Sequence, residues 1–422
     1  MSVQQKFSIF RDEIQGHSIK ELGAQYGTPC YVYDASVIRE RIAQLRQFDV
    51  IRFAQKACSN IAILDLVRQE GAFVDAVSSG EVYRAVKAGF AYQGEPAPIV
   101  YTADIFDRDA LDLVIEKNVH VNVGSTDMIA QLGQKAPGRE ITIRINPGFG
   151  HGHSAKTNTG GESSKHGIWH EQVEECVSLA SQYNLTITGV HMHIGSGTDF
   201  EHLSQVCDAM QQTARRVGST VKTISAGGGL PTPYKDSDIG LDIDRYFQLW
   251  DSSRNELESE FGHKISLEIE PGRFLVAESG FLITEIRARK TMGSNQFYLV
   301  DAGFNNLARP ILYGAYHPMS IAFAGEKTEQ TQHTIVGGPL CESGDIFTQE
   351  EGGFVCGREL PVAQVGDYLI IECAGAYGYV MSSNYNSKPF AAEVLIDGSE
   401  THLIRKRQTP EDLIAGEMIP QG

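Results

Sequence analysis

No two of the seven cysteines stand in a CxxC spacing. Cys30, Cys58, Cys176, Cys207, Cys341, Cys356 and Cys373 are scattered along the chain and odd in number. A disulfide framework or a zinc site is therefore not expected, and a reducing compartment fits. The N-terminal run MSVQQKFSIFRDEIQ holds no apolar stretch of signal-peptide length, and no segment reaches the apolar length that spans a bilayer. A soluble, cytoplasmic protein is expected. Positive charge is also short. Lys and Arg number 36 against 53 Asp and Glu, the formal net charge is -17, and there is no basic block. Nucleic acid and anionic membrane surfaces are poor partners for such a chain. A substrate bearing carboxylates must be met by local arginines, because the global field repels it. Repeats and low-complexity tracts are absent as well.

What is present is length and periodicity. With 422 residues, 41% of them hydrophobic, the chain exceeds one ordinary domain and predicts two, one of them large. Strand-like runs occur at 50–54, 73–77, 98–102, 120–123, 141–146, 186–194, 221–226 and 265–269. Most are rich in Val and Ile, as strands buried on both faces are. Segments of helical period lie between them, for example 61–70, 80–88, 171–183 and 202–217, and one at 36–47 precedes the first strand. This alternation predicts an α/β fold, a TIM-like (β/α)8 barrel over residues 36–275. A doubly wound open sheet is the rival, but its usual Gly-rich turn after the first strand is missing. After Gly280 the runs become short and turn-separated, at 297–300, 333–336, 368–371 and 393–396. They predict a second, mainly-β C-terminal domain over 276–422, which residues 1–35 join through the strand-like TPCYVYD. The polar, glycine-rich stretch 148–167 reads as a long functional loop.

Polar and glycine residues gather just after the strand-like runs, where barrel enzymes build their sites. Lys56 follows the first run, in RFAQKACSN. A desolvated lysine amine is a usable nucleophile and forms Schiff bases with aldehydes, although by position alone it is as readily a snorkelling surface lysine. Gly227, Gly228 and Gly229 follow the seventh run, with Gly195-Ser196 after the sixth and Gly272 after the eighth. Converging glycine turns can bring backbone amides to a phosphate; three unrelated turns are the plainer reading. His191 and His193 share a face, as do Glu268 and Glu270. A histidine there can stack on a cofactor ring, and a glutamate there can keep a pyridine nitrogen protonated. A hydrogen-bonded core histidine and a buried ion pair are the bland alternatives.

Taken in order, FAQKACSN, HIGSG, SAGGGL, EPGRF, GPLCESGD and GAYG resemble the motif set of the fold-type III pyridoxal-phosphate decarboxylases, across residues 28 to 389. The resemblance is strongest to the branch acting on meso-diaminopimelate. It implies an alanine-racemase-like barrel followed by a β domain, a homodimer with active sites shared across the interface, and pyridoxal 5'-phosphate as cofactor. It implies decarboxylation to L-lysine and carbon dioxide, the last step of lysine biosynthesis. By the same resemblance Lys56 holds the cofactor as a Schiff base, His193 stacks on the ring, Glu270 pairs with its nitrogen, and Asp75 lies nearby. Ser196, Gly228, Gly229 and Gly272 approach the phosphate, and Arg273 and Tyr377 contact both cofactor and substrate. Arg309 and Tyr313 join Arg273 in gripping the substrate's distal end, Glu342 takes its distal ammonium, and Cys341 is the general acid supplied by the other subunit.

Three positions depart from the family pattern. The lysine motif commonly reads closer to YAVKAN, Gly197 stands where Gln is common, and His166 in SSKHGI stands where Phe is usual. Two other readings stay open: a decarboxylase of ornithine, arginine or a carboxylated polyamine, or a racemase, and a non-catalytic cofactor-binding protein. The first would want an acid where Arg309 stands, and the last would be expected to lack Lys56 or Cys341.

Overall fold

The Val- and Ile-rich runs form eight strands: Val50–Ala54, Phe73–Ala76, Ile99–Ala103, His120–Val123, Glu140–Asn146, Thr186–His191, Thr223–Ser225 and Ser266–Ile269. The structure is a computed structural model and describes residues 7–150, 160–193 and 199–420. Each strand pairs in parallel with the next. The eighth returns to the first with Glu268 opposite Val50 and Ile269 opposite Ile51, so the sheet closes on itself. This is the expected (β/α)8 barrel. Six of the helices between the strands begin behind side-chain caps: Asn60, Ser78, Asp107, Ser125, Asp199 and Asp242 each accept from a first-turn amide. Caps of this kind satisfy donors that the helix itself leaves unpaired. They also make those strand-to-helix turns defined structures, which helps hold their loop residues in place on the rim.

The barrel interior is polar where most barrels stack branched aliphatics. Arg52, Asn122, Thr188, Ser225, Glu268 and Glu270 line an internal cavity of about 110 Å³. Arg52 and Glu268 form a buried fork-to-fork pair, with Nε to Oε2 at 3.2 Å and Nη2 to Oε1 at 2.8 Å, and Arg52 Nη1 also donates to the Ala97 carbonyl at 2.7 Å. Breaking such a pair from one side leaves a charge stranded. Arg52→Met is expected to cost about 3–5 kcal/mol, read as a lower urea midpoint, while adding Glu268→Leu recovers most of the loss.

A second unit comprises residues 7–38, Thr232–Asp238 and 276–420. Its long strand Gly280–Met292 pairs antiparallel with Cys30–Asp34, Asn295–Val300 and Tyr368–Ile371. Asn295–Val300 lies parallel to Thr331–Gly337, and Cys30–Asp34 lies parallel to Ala392–Asp397. Val32, Phe281, Ile283, Ile370, Val394 and Ile396 form its apolar core. Phe281 and Ile283 lie on one face of the long strand, as Val32 does on the N-terminal strand beside it, so burying that shared face ties the N-terminal strand into the unit. The segment Thr232–Asp238, reached between the seventh and eighth barrel strands, groups with this unit. Nothing in the sequence announces that excursion. Its anchors are the Phe7 amide on Asp236, the Tyr234 ring edge-on to His317, and the Lys235 ammonium 5.0 Å from the Tyr316 ring. Among the described residues no helix is long and apolar enough to cross a membrane.

Candidate active site

Lys56 sits in the single helical turn Gln55–Ala57 that ends the first barrel strand, and it is half-buried. Asp75, on the second strand, lies opposite Ala54 and is buried. Asp75 Oδ1 and both side-chain polar atoms of Gln55 are buried without a hydrogen-bond partner among the described residues. Buried polar atoms are nearly always satisfied, so these are open to a water or a polar ligand.

His193 follows the sixth strand. The Gly228 amide donates to its Nδ1 at 2.9 Å, which makes Nδ1 the acceptor and puts the ring proton on Nε2. Burial, and after it the nearby cations Lys56 and Arg144, hold His193 well below the ordinary histidine range. The ring is therefore neutral at neutral pH, and it offers a flat uncharged face rather than an acid.

Glu270 follows the eighth strand, with its Oε2 2.7 Å from His191 Nε2. Burial works to raise the Glu270 carboxyl, but His191, Arg52 and Arg144 outweigh it and hold the group below the usual range. Asp75 goes the other way, pushed up to about 8 by burial and by the Glu270 charge. Two neighbouring carboxyls are thus driven apart: Asp75 takes a proton and Glu270 stays charged. Divergence of this kind assigns separate roles to like groups in a catalytic site.

The glycine turn after the seventh strand has positive φ at Gly227 (62°) and Gly229 (100°), a region that L side chains rarely adopt. A Cβ at Gly228 would lie 2.5 Å from the Glu270 carbonyl oxygen and 2.9 Å from His193 Cε1. Only glycine fits there. The Glu270 amide donates to the Gly227 carbonyl at 2.8 Å and the Ala54 amide to the Pro271 carbonyl at 3.1 Å, so the ends of the seventh, eighth and first strands are stitched together. Gly272 approaches Ala54 closely, and Arg273 opens the short helix Arg273–Val276. Ser196, Gly195 and Ile194 lie outside the described residues, as does part of the 148–167 loop.

The remaining expected site residues, Arg309, Tyr313, Cys341, Glu342 and Tyr377, lie in the β-rich unit. Arg309 is buried, its guanidinium 4.9 Å from the Tyr234 ring centroid. Its Nη1 donates to His317 Nε2 at 2.8 Å, and since arginine only donates, His317 Nδ1 carries the ring proton and donates to the Glu372 carbonyl at 3.0 Å. An aromatic face and a neutral histidine thus fix the guanidinium. Tyr313 ends the turn Arg309–Tyr313, which Gly314 closes. Cys341 and Glu342 are exposed. The Cys341 amide donates to Asn386 Oδ1 at 2.7 Å, and the loop around it is drawn in by Asp345, which accepts from the Leu340 and Phe304 amides. Tyr377 holds a positive φ of 56°. Of the seven cysteines, all free, only Cys341 and Cys356 are exposed. Burial pushes the thiols of Cys30, Cys176 and Cys207 up to about 12, which leaves them inert.

Residues 35–277 match the family model described as the pyridoxal-dependent decarboxylase, pyridoxal binding domain. A diaminopimelate decarboxylase from Streptomyces coelicolor is 54% identical over 409 residues, covering 96% of this chain and 93% of that protein. The chain belongs to the diaminopimelate decarboxylase family of pyridoxal-dependent decarboxylases. The Escherichia coli K12 relative is 52% identical over 410 residues, 96% of this chain and 98% of its own. A crystal structure of a diaminopimelate decarboxylase superposes with a TM-score of 0.93 at 52% identity, covering 97% of this chain and 98% of that one. The Helicobacter pylori diaminopimelate decarboxylase, solved with L-lysine, superposes with a TM-score of 0.83 at 30% identity, covering 94% and 98%.

As a diaminopimelate decarboxylase family member the chain carries partners that its motifs did not announce. His166 places Nδ1 2.9 Å from Asp104 Oδ2, and the Gly167 amide donates to Asp104 Oδ1 at 2.8 Å. Burial would raise Asp104, but these two bonds hold it below the usual range. The pair is 62 residues apart in sequence, so no local pattern could show it. Tyr234 and His317 were missed for the same reason. His191 had a signal, its alternation with His193, but no assigned partner.

Proposed function

We propose that this chain holds pyridoxal 5'-phosphate through Lys56 and decarboxylates meso-2,6-diaminopimelate to L-lysine and carbon dioxide, the last step of lysine biosynthesis. The observation that carries the reading is a half-buried amine, Lys56, on the same barrel rim as a buried carboxylate that stays charged, Glu270. The donor set fits the cofactor. Lys56 offers a nucleophile for its aldehyde, and Glu270 offers a negative partner for a protonated ring nitrogen. The neutral His193 offers a face, and the positive-φ glycine turn offers backbone without side chains to a phosphate. The unpartnered Asp75 oxygen and Gln55 amide are polar groups open to a ligand. When bound, the cofactor accepts the electron pair released as the bond between the α-carbon and its carboxylate breaks and carbon dioxide leaves.

The chain's own groups do the rest. Glu270 keeps the ring nitrogen's proton in place by charge. Arg309, held by Tyr234 and His317, presents a guanidinium to a distal carboxylate, which it meets through two parallel hydrogen bonds. Glu342 takes the distal ammonium, and Arg273, Tyr313 and Tyr377 complete the grip. Cys341 returns the proton to the α-carbon from a second copy of the chain, in a homodimer. Its exposure, unlike that of the buried cysteines, supports delivery to a partner's site. The L-lysine bound by the Helicobacter pylori relative has the chemistry of the product. Seven free cysteines suit a cytoplasmic location.

Carbon dioxide release from meso-diaminopimelate, L-ornithine and L-arginine tests the reading directly. Turnover of the first is expected to exceed the others by ~10²-fold or more, because a site built for a second carboxylate leaves charged groups unpaired with either rival. Equal turnover of ornithine or arginine overturns the substrate. A colourless protein that takes up no added cofactor overturns the cofactor.

A further inference from the structure

We propose that His191 is a positioning residue for Glu270, fixing from inside the barrel the carboxylate that meets the cofactor's ring nitrogen. The inference rests on the reading of Glu270 given above.

His191 is the last residue of the sixth strand and Glu270 lies just past the eighth. The seventh strand stands between them, so their bond bridges strands that do not pair with each other. Both residues are buried, at 1% and 6% exposure, and the 2.7 Å separation is that of a charge-assisted hydrogen bond. A glutamate side chain has three torsions to settle. The Glu270 main chain is fixed by its amide on the Gly227 carbonyl, and His191 fixes the far end. Glu270 Oε1 accepts no hydrogen bond among the described residues, which leaves it for the ring nitrogen.

Among the described residues His191 is the side chain that hydrogen-bonds the Glu270 carboxylate. Of the two other cations whose charge favours Glu270, Arg144 makes no hydrogen bond to it among the described residues, and Arg52 is committed to Glu268 and the Ala97 carbonyl. His191 Nδ1 has no hydrogen-bond partner among the described residues, and His191 lines the internal cavity. At about 110 Å³ that cavity has room for several waters. Such water can serve Nδ1 without loosening Nε2 from the carboxylate. The sixth strand therefore delivers two histidines with different tasks: His193 toward the ring face, and His191 beneath the group that holds the ring's charge.

The test separates reach from polarity. Glutamine places an amide N–H near the position of His191 Nε2, whereas asparagine is one methylene too short. With cofactor-stripped protein, His191→Asn is expected to weaken the equilibrium binding of pyridoxal 5'-phosphate by roughly 10–100-fold, the usual effect of removing the partner that orients a primary contact. It is also expected to shift the absorption band of the bound cofactor, and to lower kcat more than it changes KM. His191→Gln recovers most of the affinity and the parent band. His191→Ser, which enlarges the cavity instead of filling it, repeats the asparagine result and serves if His191→Asn does not fold. Parent affinity and spectrum in His191→Asn or His191→Ser, or equal losses in the glutamine and asparagine variants, overturn the proposal. Glu270→Gln is the reference. If it shifts the band and His191→Asn does not, the positioning role alone fails. If Glu270→Gln leaves the band unmoved, the assignment of Glu270 to the ring nitrogen fails first.

Discussion

Lys56→Ala is expected to lower turnover by at least ~10³-fold, the scale of losing a positioned nucleophile and proton-transfer group together. Borohydride reduction of the wild-type protein is expected to bleach its yellow colour and tag the peptide that contains Lys56, and to tag nothing in the variant. The fold survives the change. Lys56 is half-buried on a loop turn and makes no hydrogen bond or ion pair among the described residues, so its truncation removes little packing. The variant keeps the glycine turn, Glu270 and His193, and is expected to bind pyridoxal 5'-phosphate reversibly. That separates loss of chemistry from loss of the site. Turnover within tenfold of wild type would place the covalent anchor elsewhere.

Arg309→Ala has the second largest expected effect. Removing one partner of a desolvated charge pair costs about 2–5 kcal/mol, which is roughly 30- to 5,000-fold in kcat/KM for meso-diaminopimelate. Cofactor absorbance is expected to stay at the parent value. Arg309→Lys does not rescue, since an ammonium lacks the planar fork and does not lie flat against Tyr234. His317 complicates the variant, because its Nε2 loses the donor it accepts from. A buried acceptor left alone costs about 1–3 kcal/mol of stability, so a thermal melt accompanies the kinetics. Unchanged turnover with an intact melt rules out distal recognition by Arg309.

The barrel was legible because its strands are buried on both faces and must be Val- and Ile-rich. The second unit was legible only in pieces. The strand Gly280–Met292 went unread as one element because its second half, RARKTM, is exposed and polar. Thr232–Asp238 gave no signal at all, since its placement depends on Asp236, Tyr234 and Lys235 meeting residues far along the chain. In the site, Lys56, the glycines and Glu270 stood out by position after strands. Cys341 and Glu342 did not, because an exposed side chain carries no burial pattern, and only motif resemblance pointed to them. The pairs His191–Glu270, His166–Asp104 and Arg309–His317 are tertiary, and no spacing rule reaches them.

The polar barrel interior has a bearing on how this protein responds to selection. Arg52, Glu268, His191 and their neighbours occupy places that aliphatic side chains would fill at lower desolvation cost. Random libraries screened for heat resistance alone are therefore expected to accumulate Leu, Ile and Met at these lining positions. The recovered clones would be hardy and slow, because the replaced groups hold Glu270 in its charged, aimed state. Directed evolution toward an industrial catalyst is better confined to the outer helices, with the lining of the barrel left untouched.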